Sequence, residues 1–141
     1  MIRKSVSPLA ICIFALGLSN AQAAPQRDRD DPAWYQSRDQ FYKGEGWKAR
    51  MFDRVREDVT RVQQNAFSSG DEYRLSKTVE ELSDLQTKLT ATNYDEPELD
   101  RVIAAMGRVV ADNRLSPKDR DMLTDDLTRL RDYREHHANW R

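Results

Sequence analysis

Along most of the chain, apolar residues recur every three or four positions. Trp47, Met51, Val55, Val59 and Val62 fall on one helical face, which predicts a helix over 46–66. Arg54, Glu57, Asp58 and Arg61 are then expected on the opposite, water-facing side, with Glu57 and Arg61 a favourable pair one turn apart. "SSGD" breaks the pattern. Leu75, Val79, Leu82, Leu85 and Leu89 restart it and predict a second helix over 72–91. After "TNYDEPEL", Asp95 can cap a third helix, and Glu98 three residues on makes an aspartate version of the capping box. Leu99, Val102, Ile103, Met106, Val109 and Val110 are its apolar face. "DNRLSPKD" ends that helix and starts a fourth. Ser116 is the cap, Pro117 takes the first helical position and Asp119 suits the positive end. Leu123, Leu127, Leu130 and Tyr133 point inward from it.

Strand signals are missing: there is no alternating β-branched run and no Asn-Gly or Asp-Gly hairpin. Four one-sided helices joined by short breaks predict an all-α fold, an antiparallel up-down-up-down four-helix bundle over 33–141. Ahead of it, Trp34, Tyr35, Phe41, Tyr42 and Trp47 crowd into one short stretch. Trp34 with Phe41, and Tyr35 with Tyr42, are seven residues apart and share a face of a short aromatic helix. That helix either covers the bundle or presents an aromatic patch to a partner. Gly44 and Gly46 allow the turn that follows. The octets "VREDVTRV" from Val55 and "LTDDLTRL" from Leu123 share Asp, Thr and Arg at matched places, the trace an internal duplication would leave.

The first residues change the picture. Arg3 and Lys4 precede an apolar run of ten residues, Leu9 to Leu18, and then Ala21 and Ala23. This is the layout of a signal peptide over 1–23, too short in its apolar part to span a bilayer. Cys12 lies inside the run rather than after it, against a lipid anchor. Removing 1–23 leaves 118 of the 141 residues and takes away the single cysteine, so packing rather than disulfides must hold the fold. "APQRDRDDP", residues 24–32, is too polar to bury anything and is expected to be a disordered leader. Losing Arg3 and Lys4 takes 23 basic residues to 21 against 24 acidic ones, a net charge of −3. That disfavours nucleic acid as a partner and gives no polybasic pull to anionic lipid.

Little in the mature chain predicts reaction chemistry. No thiol remains, no glycine-rich loop cradles phosphate, and most carboxylates sit beside Arg or Lys on solvent faces. "DNRLSPKD" lacks the central glycine and final glutamate of a calcium loop. No catalytic residue and no metal site are assigned. Both histidines are at the end. His136 is four residues after Asp132 and suits a helix C-terminus. His137 is seven after Leu130 and should lean on the apolar face, with Trp140 three further on. In this bundle Met51 belongs to the same end. Met51, His137 and the terminal "HANWR" resemble the four-helix b-type cytochromes of the periplasm. That resemblance implies a haem iron held by Met51 and His137. "LSPKDR", Leu115 to Arg120, is similar to the Leu-Thr-x-x-Gln motif of small exported helical chaperones, with Ser116 in place of Thr and Asp119 in place of Gln. It implies a client-binding role. The leading expectation is an exported, soluble, non-catalytic bundle with a binding or structural role in the cell envelope. It has no assigned cofactor, and its partner is another protein or a second copy of the chain. No integral membrane segment is expected in the mature chain.

The exported product should begin at Ala24. Its intact mass checks this, and a product that keeps 1–23 or carries lipid on Cys12 overturns it.

Overall fold

The computed structural model describes residues 31–140, so the expected signal peptide and almost all of the expected leader lie outside the described residues. Among the described residues every regular element is a helix: α1 (Pro32–Lys43), α2 (Met51–Gln64), α3 (Ser69–Thr90), α4 (Glu96–Asp112) and α5 (Pro117–His136). Two 3-10 turns, Trp47–Arg50 and His137–Asn139, extend the ends of α2 and α5. No helix among them is long and apolar enough to cross a membrane.

Most helix starts are set by capping side chains. Asp31 accepts from the Ala33 amide at 3.0 Å, so α1 opens at Pro32, inside the stretch expected to be leader. Ser68 accepts from the Asp71 amide at 3.1 Å, which pulls the start of α3 three residues earlier than the apolar spacing predicted. Asp95 and Ser116 cap α4 and α5 as expected, accepting from Glu98 and Asp119. Only half of the expected capping box at Asp95 forms. The Glu98 carboxylate pairs with Arg101 instead of returning to the cap. Gly46 sits at φ +74°, a left-handed conformation that a side chain resists, and it turns α1 into the 3-10 entry of α2. At the other turn Arg120 donates to the carbonyls of Val110 and Asn113, closing the otherwise open C-terminus of α4.

Helices α2, α3, α4 and α5 make a closed ring of contacts, α2 with α3, α3 with α4, α4 with α5 and α5 back to α2. Their apolar stripes meet in one core that includes Met51, Val55, Val59, Leu75, Leu82, Leu99, Met106, Leu123 and Leu130. Asn113 pins the far ends together. Its amide nitrogen donates to the Asp71 carbonyl, and its oxygen accepts from Arg74. Helix α1 is different. Its backbone stands off from the ring, and long side chains bridge the gap. Its aromatic residues Trp34, Tyr35 and Tyr42 are half-buried, so this segment covers a side of the ring rather than offering an exposed patch.

One expectation fails here. Arg54, Asp58 and Arg61 were assigned to the solvent face of α2, but all three are buried. α1 lies over that face and excludes water from it. Glu57, beside them, does face solvent.

Truncating Leu82 or Leu127 to Ala should cost about 2–5 kcal/mol each, because each leaves a cavity in the shared core. Asp84→Ala, on an exposed position, should cost less than about 0.5 kcal/mol. Urea melts of the three variants check this, and equal losses at all three would show that the faces are misassigned.

Candidate functional site

The densest group of buried charge lies between α1, α2 and α5. Arg38 is the only buried residue of α1. Its Nε donates to Asp58 Oδ2 at 2.9 Å, and its Nη2 donates to Asp126 Oδ1 at 2.5 Å and Asp125 Oδ2 at 2.7 Å. Asp58 and Asp126 are both 0 % exposed. Asp58 also accepts from the Trp34 indole at 3.1 Å and lies 3.2 Å from Arg54 Nε. One turn away, the Tyr35 hydroxyl donates to Asp119 at 2.8 Å. A single guanidinium thus joins three helices through charge-assisted hydrogen bonds.

The aromatic residues of α1 complete this clasp. Trp34 is one turn before Arg38 and Tyr42 one turn after it. Arg54 and Arg61 stack over Trp34 at 4.8 and 5.0 Å, and Arg129 lies over Tyr42 at 3.6 Å. These residues follow the internal echo. Asp58 in "VREDVTRV" matches Asp126 in "LTDDLTRL", and Arg61 matches Arg129. Both copies meet the same helix, each with an aspartate on Arg38 and an arginine on an aromatic ring.

The charges are not evenly compensated. Burial pushes the Asp126 carboxyl well up from the usual aspartate range, and neighbouring Asp58 adds to that push against Arg38. Burial also raises Asp58, against Arg54 and Arg38. Burial would lower Arg38, but Asp126, Asp125 and Asp58 outweigh it and hold the guanidinium above its usual range. Burial raises the Tyr42 hydroxyl, and Asp126 raises it further. Asp126 Oδ2 and the Tyr42 hydroxyl are buried without a hydrogen-bond partner, so this side of the clasp is the less satisfied one.

A second convergence joins α3 to the start of α4. Carboxylate oxygens of Glu81, Asp84 and Glu98 lie within 4.8 Å of one another. Glu98 is buried, and its Oε2 is held by Arg101, with Lys88 at 3.6 Å. The hydrogen bond between the two glutamates raises Glu81 and lowers Glu98, which places a shared proton on Glu81. Lys88 also bonds Asp95 at 2.7 Å and holds its carboxyl below the usual range. Oxygen ligands of this kind suit a hard divalent cation, but two cationic side chains already share the space.

The residues singled out for haem are placed differently. Met51 is packed in the core. The α-helical part of α5 ends at His136, and His137 opens the 3-10 turn. His137 is half-buried, its ring stacked on Tyr94 at 3.9 Å, and it lines a surface groove of about 460 Å³ with Phe52, Gln86, Tyr133 and Trp140. Met51 does not line that groove. His136 is exposed and bonds the Asp132 carboxylate at 3.0 Å, as the spacing predicted. In the "LSPKDR" stretch, Ser116 caps α5 and Asp119 receives Tyr35, so both motif positions serve the fold.

Sequence reasoning missed the clasp, although a signal was present. Positions 54, 58 and 61 repeat the four-then-three spacing of the apolar stripe beside them. A polar stripe at core spacing, opposite a helix with a central arginine between aromatics, is the pattern that would have found it. Comparison with known proteins found no matching family model, no matching curated protein and no matching solved structure.

Arg38→Ala leaves two buried aspartates without their shared partner and should cost about 3–5 kcal/mol. Hydrogen exchange should show residues 32–43 losing protection first, because α1 lies outside the ring. Asp58 and Asp126 titrate above their ordinary value. The stability they contribute is therefore full below the ordinary aspartate range and is lost as pH rises through their folded values. Asp126→Asn should flatten that slope in urea melts taken from mildly acidic to neutral pH. An unchanged slope would place the proton elsewhere.

Proposed function

We propose that α2–α5 form an antiparallel up-down-up-down four-helix bundle, strapped along one side by α1, and that the chain is an exported, non-catalytic protein acting by binding or structural support in the cell envelope. One observation carries this reading. The strongest electrostatic cluster pairs its acids with arginines to hold helices together, and Arg38 has a carboxylate on both its Nε and its Nη2. A catalytic carboxylate pair needs an open side where substrate meets the acid or base. Asp58 and Asp126 are closed off by α1. The signal-like start, Arg3 to Ala23, supports export.

A chaperone role is the weaker reading, since Ser116 and Asp119 are engaged in capping and in holding α1. A haem role would need Met51 to leave the core and meet His137. Expression in a Gram-negative host, followed by fractionation, tests export: the processed chain should appear in the periplasm. The purified protein should be colourless and show no Soret band with added haem. A band abolished by both Met51→Ala and His137→Ala would replace this reading with the cytochrome one. A protein retained in the cytosol would remove the export part.

A further inference from the structure

We propose that α1 exchanges between two copies of this chain, with Arg38 of one copy seated between Asp58 and Asp126 of the other and the hinge at residues 44–46. The proposal does not depend on where the protein resides.

Four observations lead to it. The ring of α2, α3, α4 and α5 closes without α1, so opening α1 leaves the ring contacts intact. α1 is held through side chains, with Arg38 as its one buried residue. Leaving the ring therefore exposes two buried aspartates and a few half-buried rings rather than the apolar core. Those aspartates cannot stay uncompensated, because an unpaired buried carboxylate is strongly unfavourable. They will accept an equivalent arginine from any chain that presents it in the same way. The best-matched donor of an arginine one turn from both Trp and Tyr is this helix in a second copy. Exchange then restores every contact of the clasp, including Trp34 on Asp58 and Tyr35 on Asp119.

The hinge fits the same reading. Gly44 ends α1 with an extended backbone, and Gly46 is held at φ +74°. A Cβ at Gly46 would meet nothing within 4 Å, so only the backbone conformation of the closed turn demands glycine there. An opened hinge releases that demand. At low concentration the tether favours the closed monomer, since the attached helix is present at a high effective concentration. Exchange is therefore expected to grow with protein concentration.

Two full-chain variants separate donor from acceptor. Arg38→Ala keeps the aspartates and lacks the arginine. The Asp58→Asn, Asp126→Asn double variant keeps the arginine and lacks the aspartates. Each alone should be monomeric by light scattering and helical by circular dichroism. Mixed at about 100 µM each, they should form a species of doubled mass in native mass spectrometry. Two helical variants that stay monomeric when mixed would overturn the proposal.

Should either variant fail to fold, Gly46→Val in the otherwise unchanged chain gives an independent reading. A β-branched residue at this φ disfavours the closed turn, and the dimer fraction should rise about tenfold over wild type. A Gly46→Val chain that remains monomeric over the same concentrations, with α1 docked or released, overturns the proposal as well.

Discussion

Two aspartates with no access to water, one on α2 and one on α5, set the terms for the rest of the molecule. A carboxylate in a medium of low polarity is tolerated only when a cation and hydrogen-bond donors replace the water it has lost. Asp58 and Asp126 face the same side, and neither α2 nor α5 alone supplies enough donors for both. Arg54 helps Asp58. Arg38 supplies the remainder from outside the ring. The position of α1, and the placing of Trp34 and Tyr42 one turn to either side, follow from the need to bring one planar guanidinium to two buried acids at once.

The internal echo gives this constraint its geometry. The same octet pattern on α2 and α5 puts an aspartate and, three residues later, an arginine on each helix. α1 lies between them, so its central residue meets both aspartates while its flanking aromatic rings meet one arginine each. The match is incomplete. Trp34 donates to Asp58, whereas the Tyr42 hydroxyl and Asp126 Oδ2 find no partner. The carboxyl pushed well above its ordinary range is the one on that poorer side.

The other contacts divide the work by chemistry. Apolar burial joins α2 to α5 into one ring. Polar links then fix the ends: Asn113 and Arg74 between α3 and α4, Arg120 across the α4–α5 turn, and Lys88 with the Glu81–Glu98 pair at the α3–α4 turn. Where the chain finishes, Trp47, Tyr133 and Trp140 pack edge to face, and His137 lies flat on Tyr94. This aromatic end holds the start of α2 and the last turn of the chain together.

The sequence by itself determined the helices of the ring, their buried stripes and three of their caps. Those depend on local spacing and on capping side chains within three residues of the amides they receive. Val55, Leu82, Leu99 and Leu130 could be read as core because apolar residues at helical spacing have few other places to go. Asp58 could not be read as core in the same way. A charged residue one step around the helix from an apolar stripe faces water unless something covers it, and the cover came from a separate helix twenty residues earlier in the chain. Only the tertiary structure brought Arg38 to Asp58, Asp125 and Asp126, because whether those charges are buried depends on where α1 comes to rest. It also decided that Met51 would pack in the core while His137 stacked on Tyr94 at the surface, since a residue's neighbours across helices are fixed by how the helices pack and not by spacing along any one of them.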